Sequence, residues 1–501
     1  MNITIIGAGL AGLSTGLHLQ SQGYRVQILE KNSRIGGRAN RIEEGGFKFD
    51  TGPTLIFMPS LLEETFRTVG RNLSDYLRLK RIEPAYQIIY SDGKRFEMTS
   101  DLDRLKTQIA DFEPGREKMF GRYFKDVEDK LVYSEAAFIR RNFNSLLEMV
   151  NPTTARSFLK IKPWGSAYDH VNRYFRNPYL AAAFSFQSLY LGQSPFKTPS
   201  LYNMLAYLEF AYGAWYPMGG MYELPKALAK VFEESGGVIR TGTEVEKIHI
   251  ENGRARGVVL KGGELDLADL VVSNCDLPTS YRLLVDAESR PSFPDSKINN
   301  WHYSSSSCLY YLGLKRRIRG LSHHNVLLDK NLKIPCDEIF GRGELPSEPQ
   351  LYVCCPTKTD PSLAPEGKEI IYALAITPNL KSKIDWEARL PKFRLQVIER
   401  LKKAGADLEE SDIEVEKFFG PRQFESHYGM QYGTAFGLAP DFFQSAAFRP
   451  GIRSRDVRGL YHVGSSTHPG GGVPMTVLCG RIASDQIRKD VGAPTAAGVA
   501  G

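Results

Sequence analysis

Short apolar runs, glycine turns and helical patterns alternate at the start of the chain. Residues 3–6 form a β-branched run that predicts a strand buried on both faces of a parallel sheet. Three spaced glycines follow, and then an apolar pattern that predicts a helix. Residues 24–30 predict a second strand, which ends in an acidic residue. This order of strand, turn, helix and strand predicts an α/β domain with a parallel sheet.

The next part of the chain changes from alternating to helical patterns. Residues 80–100 alternate around Ser91, Asp92 and Gly93, which predicts a hairpin in a second, substrate-facing sheet. From residue 102 to about residue 190 the pattern is helical, with a break at residues 113–115. Residues 179–192 and 201–216 are strongly apolar and aromatic, and both predict buried helices too short to span a membrane. Their rings either line a long apolar pocket or pack in the core.

Residues 157–164 mix Lys, Phe, Leu and Trp. This composition suits a helix that lies on a bilayer surface. An ordinary amphipathic helix packed against the core has the same pattern, so both interpretations stay open.

The second half of the chain first returns to the opening domain. Residues 237–250 are interpreted as this return, a hairpin is predicted over residues 255–267, and a buried strand is predicted over residues 270–274. The strand candidates of the following block are residues 308–314, 351–355 and 369–376, and a helix is predicted over 386–404. Residues 459–483 again predict a strand, a glycine loop and a helix.

Composition narrows the class of protein. The 501 residues carry a net charge of +7 without a basic block, so no nucleic-acid partner is expected. The six cysteines form no C-x-x-C pair and are expected as buried thiols in a reducing cytoplasm. The chain begins directly with its first strand, so no signal peptide is expected. No apolar run reaches about 18 residues, so any membrane contact is expected to be peripheral.

The first glycine turn has the spacing of a dinucleotide site. Gly7, Gly9 and Gly12 form a G-x-G-x-x-G motif, and Leu10 and Ala11 begin the helix. These glycines allow a tight turn, close approach of a pyrophosphate and close helix packing, while the helix N-terminus offers N–H groups to phosphates. The acidic residue that ends the second strand, Glu30, lies close to the spacing of about 20 residues expected for the group that binds a ribose 2′-hydroxyl.

The following segment resembles a flavoprotein superfamily. Glu30 and Lys31 precede a Gly36-Gly37-Arg38 turn, and an Asp-Thr-Gly-Pro-Thr segment contains Gly52, Pro53 and Thr54. This order resembles the superfamily of glutathione reductase, amine oxidases and carotenoid desaturases, in which these elements belong to the FAD site. Arg38 can place a fixed cation on the pyrophosphate. The resemblance also implies that Val245 lies beside the adenine.

The C-terminal glycine loop makes the resemblance specific. Gly464, Ser465 and His468 precede Gly472, Val473, Pro474 and Met475, where a helix begins that can aim N–H donors at the flavin. This loop is similar to that of the bacterial phytoene and diapophytoene desaturases. Membership of that family implies a Rossmann-type FAD domain, a mixed-sheet substrate domain and a helical membrane-facing lid. It further implies non-covalent FAD, a long apolar polyene substrate, peripheral attachment to the cell membrane and a quinone or oxygen as electron acceptor.

These patterns divide the chain into interleaved parts. The FAD domain is predicted over residues 1–75, 216–275 and 451–490, and the substrate domain over 76–100 and 276–450. The helical lid is predicted over 101–215, and a flexible tail over 491–501.

The predicted chemistry needs few polar residues. A desaturase transfers a hydride from an allylic carbon of its substrate to the flavin, and the neighbouring carbon of the substrate loses a proton. No metal site is predicted, and Asp169, His170 and His468 are the candidate catalytic residues. Helix capping explains the first two equally well, and a backbone contact explains the third. The alternatives are an aldehyde-forming terminal-methyl oxidase, an amine oxidase and a non-enzymatic escort of prenylated proteins.

Overall fold

The computed structural model describes residues 1–493, with the side chain of Leu146 left aside. Nineteen strands lie in this range: β1 (Asn2–Ile6), β2 (Arg25–Leu29), β3 (Arg41–Glu44), β4 (Phe47–Asp50), β5 (Leu79–Ile82), β6 (Tyr86–Tyr90), β7 (Arg95–Met98), β8 (Ala214–Pro217), β9 (Val238–Arg240), β10 (Val245–Glu251), β11 (Arg254–Leu260), β12 (Leu265–Leu267), β13 (Leu270–Ser273), β14 (Ser306–Leu314), β15 (His324–Leu328), β16 (Leu351–Cys354), β17 (Glu369–Thr377), β18 (Ile413–Phe419) and β19 (Leu460–His462).

The same range contains fifteen α-helical segments: α1 (Leu10–Ser21), α2 (Pro59–Thr68), α3 (Leu102–Phe112), α4 (Glu117–Ser134), α5 (Pro152–Ile161), α6 (Ala167–Asn172), α7 (Pro178–Ala183), α8 (Met204–Tyr212), α9 (Glu223–Glu234), α10 (Leu277–Thr279), α11 (Asp295–Asn299), α12 (Lys333–Cys336), α13 (Trp386–Lys403), α14 (Pro421–Tyr428) and α15 (Val473–Val491). Because α15 continues to Val491, the predicted tail begins inside this helix, and its residues 494–501 lie outside the described residues.

A five-stranded parallel sheet contains strands from the beginning, the middle and the C-terminal part of the chain. Its strand order is β19-β13-β1-β2-β9. Ile3 of β1 pairs with Leu270 on one side and Val26 on the other, and all three side chains are buried. Residues 3–6 are buried at every position, so both faces of the strand are covered, as predicted for the β-branched run. Helix α1 packs against α15 so closely that a Cβ on Gly480 would lie 2.6 Å from the Ser14 Cβ.

A seven-stranded mixed sheet lies beside the first, in the order β18-β14-β17-β16-β15-β6-β7. Strands β6 and β15 run parallel, and the other neighbours are antiparallel. Alternate side chains of β14 pack in two different hydrophobic cores, one on each face of the sheet. Cys308 and Leu312 pack with α13, while Leu309 and Tyr311 belong to the core on the opposite face. This double burial explains why β14 reads as a continuous apolar run.

Helices α3–α8 cover the face of the mixed sheet that α13 leaves free, and here the predicted elements need correction. Residues 201–216 do not form one helix, because α8 ends at Tyr212 and Gly213 has a left-handed φ of +68°. The chain then enters β8, which pairs with β5. Residues 179–192 are likewise divided between α7 and a 3₁₀ segment, Phe186–Leu191. No helix in the described part of the chain combines the length and apolar character needed to cross a bilayer.

Candidate active site

The first glycine turn is packed as tightly as a backbone allows. A Cβ on Gly12 would lie 2.2 Å from the carbonyl oxygen of Gly7, and a Cβ on Gly9 would lie 2.6 Å from Asn274 Nδ2. Helix α1 begins directly after Gly9, and no side chain in residues 1–493 caps it. Gly9, Leu10 and Ala11 line a cavity, so the free N–H groups of the first helical turn are available to an anion there.

A second glycine turn closes over the first. The Gly36 N–H donates to the Ala8 carbonyl at 2.8 Å. Gly36 and Gly37 have φ values of +102° and +57°, which glycine adopts without strain. A Cβ on Gly37 would lie 3.3 Å from the Gly9 Cα. The two turns therefore form one backbone cradle.

Glu30 is buried at the carboxyl end of β2, behind the cradle. Its Oε2 accepts the Ala8 N–H at 2.8 Å, and its Oε1 accepts two N–H groups of Asn32 at 2.9 Å each. A carboxylate has about four acceptor positions, so Oε2 keeps one for a ribose hydroxyl. Val245, the first residue of β10, packs with Leu29 in the same core cluster. Fifteen of the twenty predicted cofactor residues line the cavity. The five that do not are Gly7, Gly12, Glu30, Lys31 and Val245.

Arg38 is held in one position at the cavity wall. Its Nη1 donates to the Ala435 carbonyl at 2.7 Å, and its Nη2 donates to Ser465 Oγ at 2.6 Å. Burial lowers the pKa of the Arg38 guanidinium, and the charge of Asp276 offsets part of this effect. A pre-positioned cation therefore lies between the N-terminal cradle and the C-terminal glycine loop.

The C-terminal loop presents a second uncapped helix. Gly472 is the N-cap of α15, and no side chain occupies this capping position. Its φ is +103°, and the space where a Cβ would project is open to 4 Å. Gly472, Val473, Pro474 and Met475 all line the cavity. The first-turn N–H groups can therefore stabilise negative charge on a bound ring.

The cavity extends from these glycine loops into an apolar arm between the mixed sheet and the helical layer. It has a volume of about 580 Å³. The sheet contributes one wall and the helices the other; lining side chains of the arm include Leu309, Val326, Leu328, Tyr352, Tyr372, Leu374, Leu131, Phe138, Phe158, Ile161, Phe186, Tyr190 and Leu208. Cofactor loops and apolar arm thus share one continuous space.

Charge is confined to one end of this cavity. Among the described residues, the lining Asp and Arg side chains are Arg38, Asp276 and Arg449, and Lys and Glu contribute none. Asp276 accepts from Ser466 Oγ and Arg449 donates to the Thr467 carbonyl, so both are tied to the C-terminal loop. The motif analysis missed Asp276 and Arg449. The position of Asp276 at the carboxyl end of β13, where parallel sheets bind ligands, is a signal that could have found it.

The three candidate catalytic residues occupy different places. His170 is buried and bonded to Asp126 Oδ2 and to Asn203 Nδ2, the latter at 2.8 Å, while Asp169 bonds the helix-capping residue Ser166. Neither Asp169 nor His170 lines the cavity, so their placement favours the capping and core roles. His468 does line the cavity, but its Nε2 lies 3.0 Å from the Phe138 carbonyl. Burial lowers the pKa of His468 to about 4, so its ring is neutral at physiological pH.

Comparison with known proteins identifies the class. The pattern of the flavin-containing amine oxidoreductases matches residues 10–488, and the chain belongs to this family. A zeta-carotene-forming phytoene desaturase of Myxococcus xanthus is 37% identical over 489 residues, which cover 97% of this chain and 93% of that protein. A 4,4′-diapophytoene desaturase of Staphylococcus aureus is 34% identical over 499 residues, covering 98% and 99% of the two chains.

The fold has solved counterparts. An oxidoreductase of Methanosarcina mazei superposes with a TM-score of 0.63 at 20% identity, over 97% of this chain and 100% of that one. At this identity the likeness shows the fold alone. Together the comparisons confirm the predicted resemblance to carotenoid desaturases, the oxidoreductase class and FAD as cofactor. The cradle, the free acceptor of Glu30 and the two uncapped helices fit that cofactor.

Proposed function

We propose that the protein desaturates a linear carotenoid precursor, phytoene or 4,4′-diapophytoene, with FAD as the hydride acceptor. The observation that carries this proposal is the continuous cavity in which cofactor loops open into an apolar arm. A hydrocarbon offers no hydrogen bonds, so its binding depends on burial of apolar surface. The confinement of charge to the loop end supports a substrate without polar groups.

The chain's own residues have three tasks in this reaction. When bound, FAD supplies the acceptor for the hydride of the CH–CH unit. The glycine cradle, Glu30 and Arg38 would hold the cofactor, and the start of α15 would stabilise charge on its ring. The apolar arm orients the polyene and excludes water from the reacting carbons.

The site disfavours a cationic amine as substrate. The carboxylate that lines the cavity in the described structure, Asp276, already accepts hydrogen bonds from Ser466 and from the Gln431 N–H. Burial raises the pKa of Asp276, and the hydrogen bond from Ser466 and the charge of Arg38 partly oppose this effect. An ammonium group would therefore lose its hydration without gaining a free anion.

Non-covalent attachment of FAD is part of the proposal. Cys275 is the cysteine in the cavity lining, and burial raises the pKa of its thiol to about 11. The thiol is therefore protonated at neutral pH and is a poor nucleophile. We expect acid precipitation to release the flavin into the supernatant.

We further propose that the cavity mouth lies on a membrane surface, from which the polyene enters. Trp164, Phe443 and Phe448 form an exposed apolar patch around Phe442, and the exposed Leu159 lies five residues before Trp164 in the chain; Leu159 and Trp164 are 73% and 58% exposed. The Trp164 ring stacks on Phe442, which contacts both phenylalanines of the patch. Phe442 and Phe448 also line the cavity. Exposed apolar side chains at an opening of this kind suit a bilayer, and a membrane quinone or oxygen would then reoxidise the flavin.

The test uses FAD-loaded protein on liposomes that contain phytoene or 4,4′-diapophytoene. Desaturation predicts a stepwise red shift of the polyene absorbance, with products lighter by pairs of hydrogens in mass spectrometry. The preferred precursor would report the chain length. No shift with either precursor, together with oxygen-containing products from an already coloured polyene, would replace the proposal with a terminal oxidase.

A further inference from the structure

Tyr352 connects the cavity wall to the interior of the mixed sheet. Its side chain lines the cavity, and its phenol oxygen lies 2.6 Å from Thr54 Oγ1 in the predicted cofactor loop. The same oxygen lies 2.7 Å from His324 Nδ1 on the neighbouring strand β15. A polar contact therefore leads out of a mostly apolar space at the point where the cofactor loop meets it.

Behind Tyr352 lie two adjacent buried histidines. His323 and His324 are 6% and 1% exposed, and their ring centroids are 4.1 Å apart. Within the described residues, the Nε2 atom of each ring has no hydrogen-bond partner. One nitrogen of each ring and the Cys354 Sγ lie within 4.8 Å of one another. An unpartnered buried polar atom is unfavourable for folding, so this arrangement calls for a functional reason.

The outer end of the pair approaches solvent. His323 Nδ1 lies 2.6 Å from Thr359 Oγ1, and Thr359 is half-buried. The exposed Lys80 lies near enough for its charge to act on His323. Thr54, Tyr352, His324, His323 and Thr359 thus form a line of polar groups from the cavity to the surface.

We propose that Tyr352, His324 and His323 carry away the proton that each desaturation releases, an inference that rests on the function proposed above. When one C–H bond of the CH–CH unit loses its hydride, the electrons of the neighbouring C–H bond form the new π bond. The proton of that second bond passes to the Tyr352 oxygen while Tyr352 passes its own proton to His324 Nδ1. His324 then releases its Nε2 proton through one bridging water to His323 Nε2, and His323 releases its Nδ1 proton through Thr359 to solvent. This leaves each ring in its other tautomer, and proton exchange of both rings with water restores the starting tautomers before the next desaturation.

The electrostatics suit transfer rather than storage of the proton. Burial lowers the pKa of His323 to about 3, with a further contribution from Lys80. Burial and the neighbouring His323 hold the pKa of His324 well below its usual value. The other groups that face the pair, the Cys354 thiol and the Tyr216 phenol, have pKa values raised by burial and stay neutral. Both rings therefore keep a free lone pair and hold an added proton only briefly.

Tyr190, another polar side chain of the arm, is a poorer exit for the proton. Tyr190 also lines the cavity and lies near Glu209, which is fully buried. Burial raises the pKa of Glu209 to about 8, so its carboxyl is mostly protonated at neutral pH and a poor acceptor. Its partners, Tyr86 and Gln187, are buried as well, and among the described residues they lead to no exposed group.

The direction of transfer requires a particular tautomer of each histidine ring. Nitrogen NMR measures which ring nitrogen is protonated, and it does so in the resting protein, without catalysis. FAD-loaded full-length protein labelled with ¹⁵N-histidine would be compared with His324→Asn and His323→Asn for assignment. The inference predicts His324 protonated on Nε2, with Nδ1 as the acceptor, and His323 protonated on Nδ1. A His324 protonated on Nδ1 would overturn it, because that nitrogen could then take no proton from Tyr352.

The kinetic test compares two cavity tyrosines on adjacent strands. Tyr372 lies on β17 next to Tyr352, and its hydroxyl donates to the Gly52 carbonyl at 2.9 Å without reaching a histidine. Anaerobic bleaching of bound flavin by the polyene is expected to slow at least tenfold more in Tyr352→Phe than in Tyr372→Phe at saturating FAD. His324→Asn, which keeps a partner for the Tyr352 hydroxyl, should show the same loss, and it serves where Tyr352→Phe does not fold.

The outcomes separate the two proposals. A wild-type protein whose flavin neither polyene reduces overturns the proposed function and this inference together. A reactive wild type in which the Tyr352 and Tyr372 variants slow equally overturns the inference alone. A stoichiometric transition metal held by His323, His324 and Cys354 in the purified protein would also overturn it, because coordination would block both Nε2 lone pairs.

Discussion

Glu209 allows a quantitative prediction about stability. Its side chain is fully buried, and its Oε2 accepts from the Tyr86 hydroxyl at 2.6 Å and from Gln187 Nε2 at 3.0 Å. Burial raises the pKa from 4.5 to about 8, and the two hydrogen bonds only partly oppose this. The folded-state pKa lies above the unfolded value, so the protonated carboxyl stabilises the fold below about pH 4.5 and this stability is lost as pH rises towards 8.

Substitution of Glu209 by Gln removes the titration and keeps an acceptor for Tyr86 and Gln187. The free energy of unfolding of the wild type should fall by about 1.4 kcal/mol for each pH unit between pH 5 and 8 through this group. The free energy of unfolding of Glu209→Gln should therefore rise by about 4 kcal/mol relative to that of the wild type between pH 5 and pH 8.

The assay is the thermal midpoint Tm of FAD-loaded protein at pH 5, 6, 7 and 8 and constant ionic strength. The Tm difference between Glu209→Gln and the wild type should widen by several degrees as pH rises. Glu63→Gln, at an exposed site on α2, is the matched control and should give a difference that does not change with pH. Parallel curves for Glu209→Gln and the wild type would refute the reasoning.

Three further predictions concern the cofactor and the membrane. Gly12→Ala places a methyl group 2.2 Å from a backbone oxygen and should weaken FAD binding at least tenfold by flavin fluorescence titration. Gly121→Ala, with open space around its Cβ, should not, and equal loss in both would contradict the cradle. Arg38→Lys loses the two-pronged contact with the Ala435 carbonyl and Ser465 Oγ and should raise the FAD Kd about tenfold in the same titration; an unchanged Kd would remove Arg38 from the site. Combined Leu159→Ser and Trp164→Ser substitution should reduce liposome co-sedimentation several-fold, whereas Leu395→Ser, at an exposed leucine of α13, should leave it unchanged. Unchanged liposome binding of the double variant would show that another surface makes the membrane contact.

Elements with local causes were predictable. Gly7 and Gly12 are close in sequence, and the turn between them needs glycine whatever the rest of the chain does. The β-branched run before them and the acidic end of β2 follow from the same short segment. The long apolar run of β14 was recognisable as a strand because double burial removes polar positions.

Other features depended on partners distant in the chain. The prediction of one helix over residues 201–216 was wrong because Gly213 and pairing with β5 turn its end into β8. Apolar periodicity reports that a segment is buried but not which surface buries it. For the same reason, residues 157–164 suited both a bilayer and a core: in α5, Ile161 lines the cavity while Leu159 faces outward.

The sequence by itself thus determined the cofactor class and the glycine turns and helix starts that are predicted to bind it, since backbone turns and helix starts are encoded over a few adjacent residues. Only the tertiary structure decided the shape and polarity of the cavity. The line from Tyr352 through His324 and His323 to Thr359 crosses neighbouring strands and the loop after β16, and no spacing in the sequence marks it. The physical reason is that hydrophobic burial has no direction, so which side chains meet around a cavity depends on the packing of whole layers.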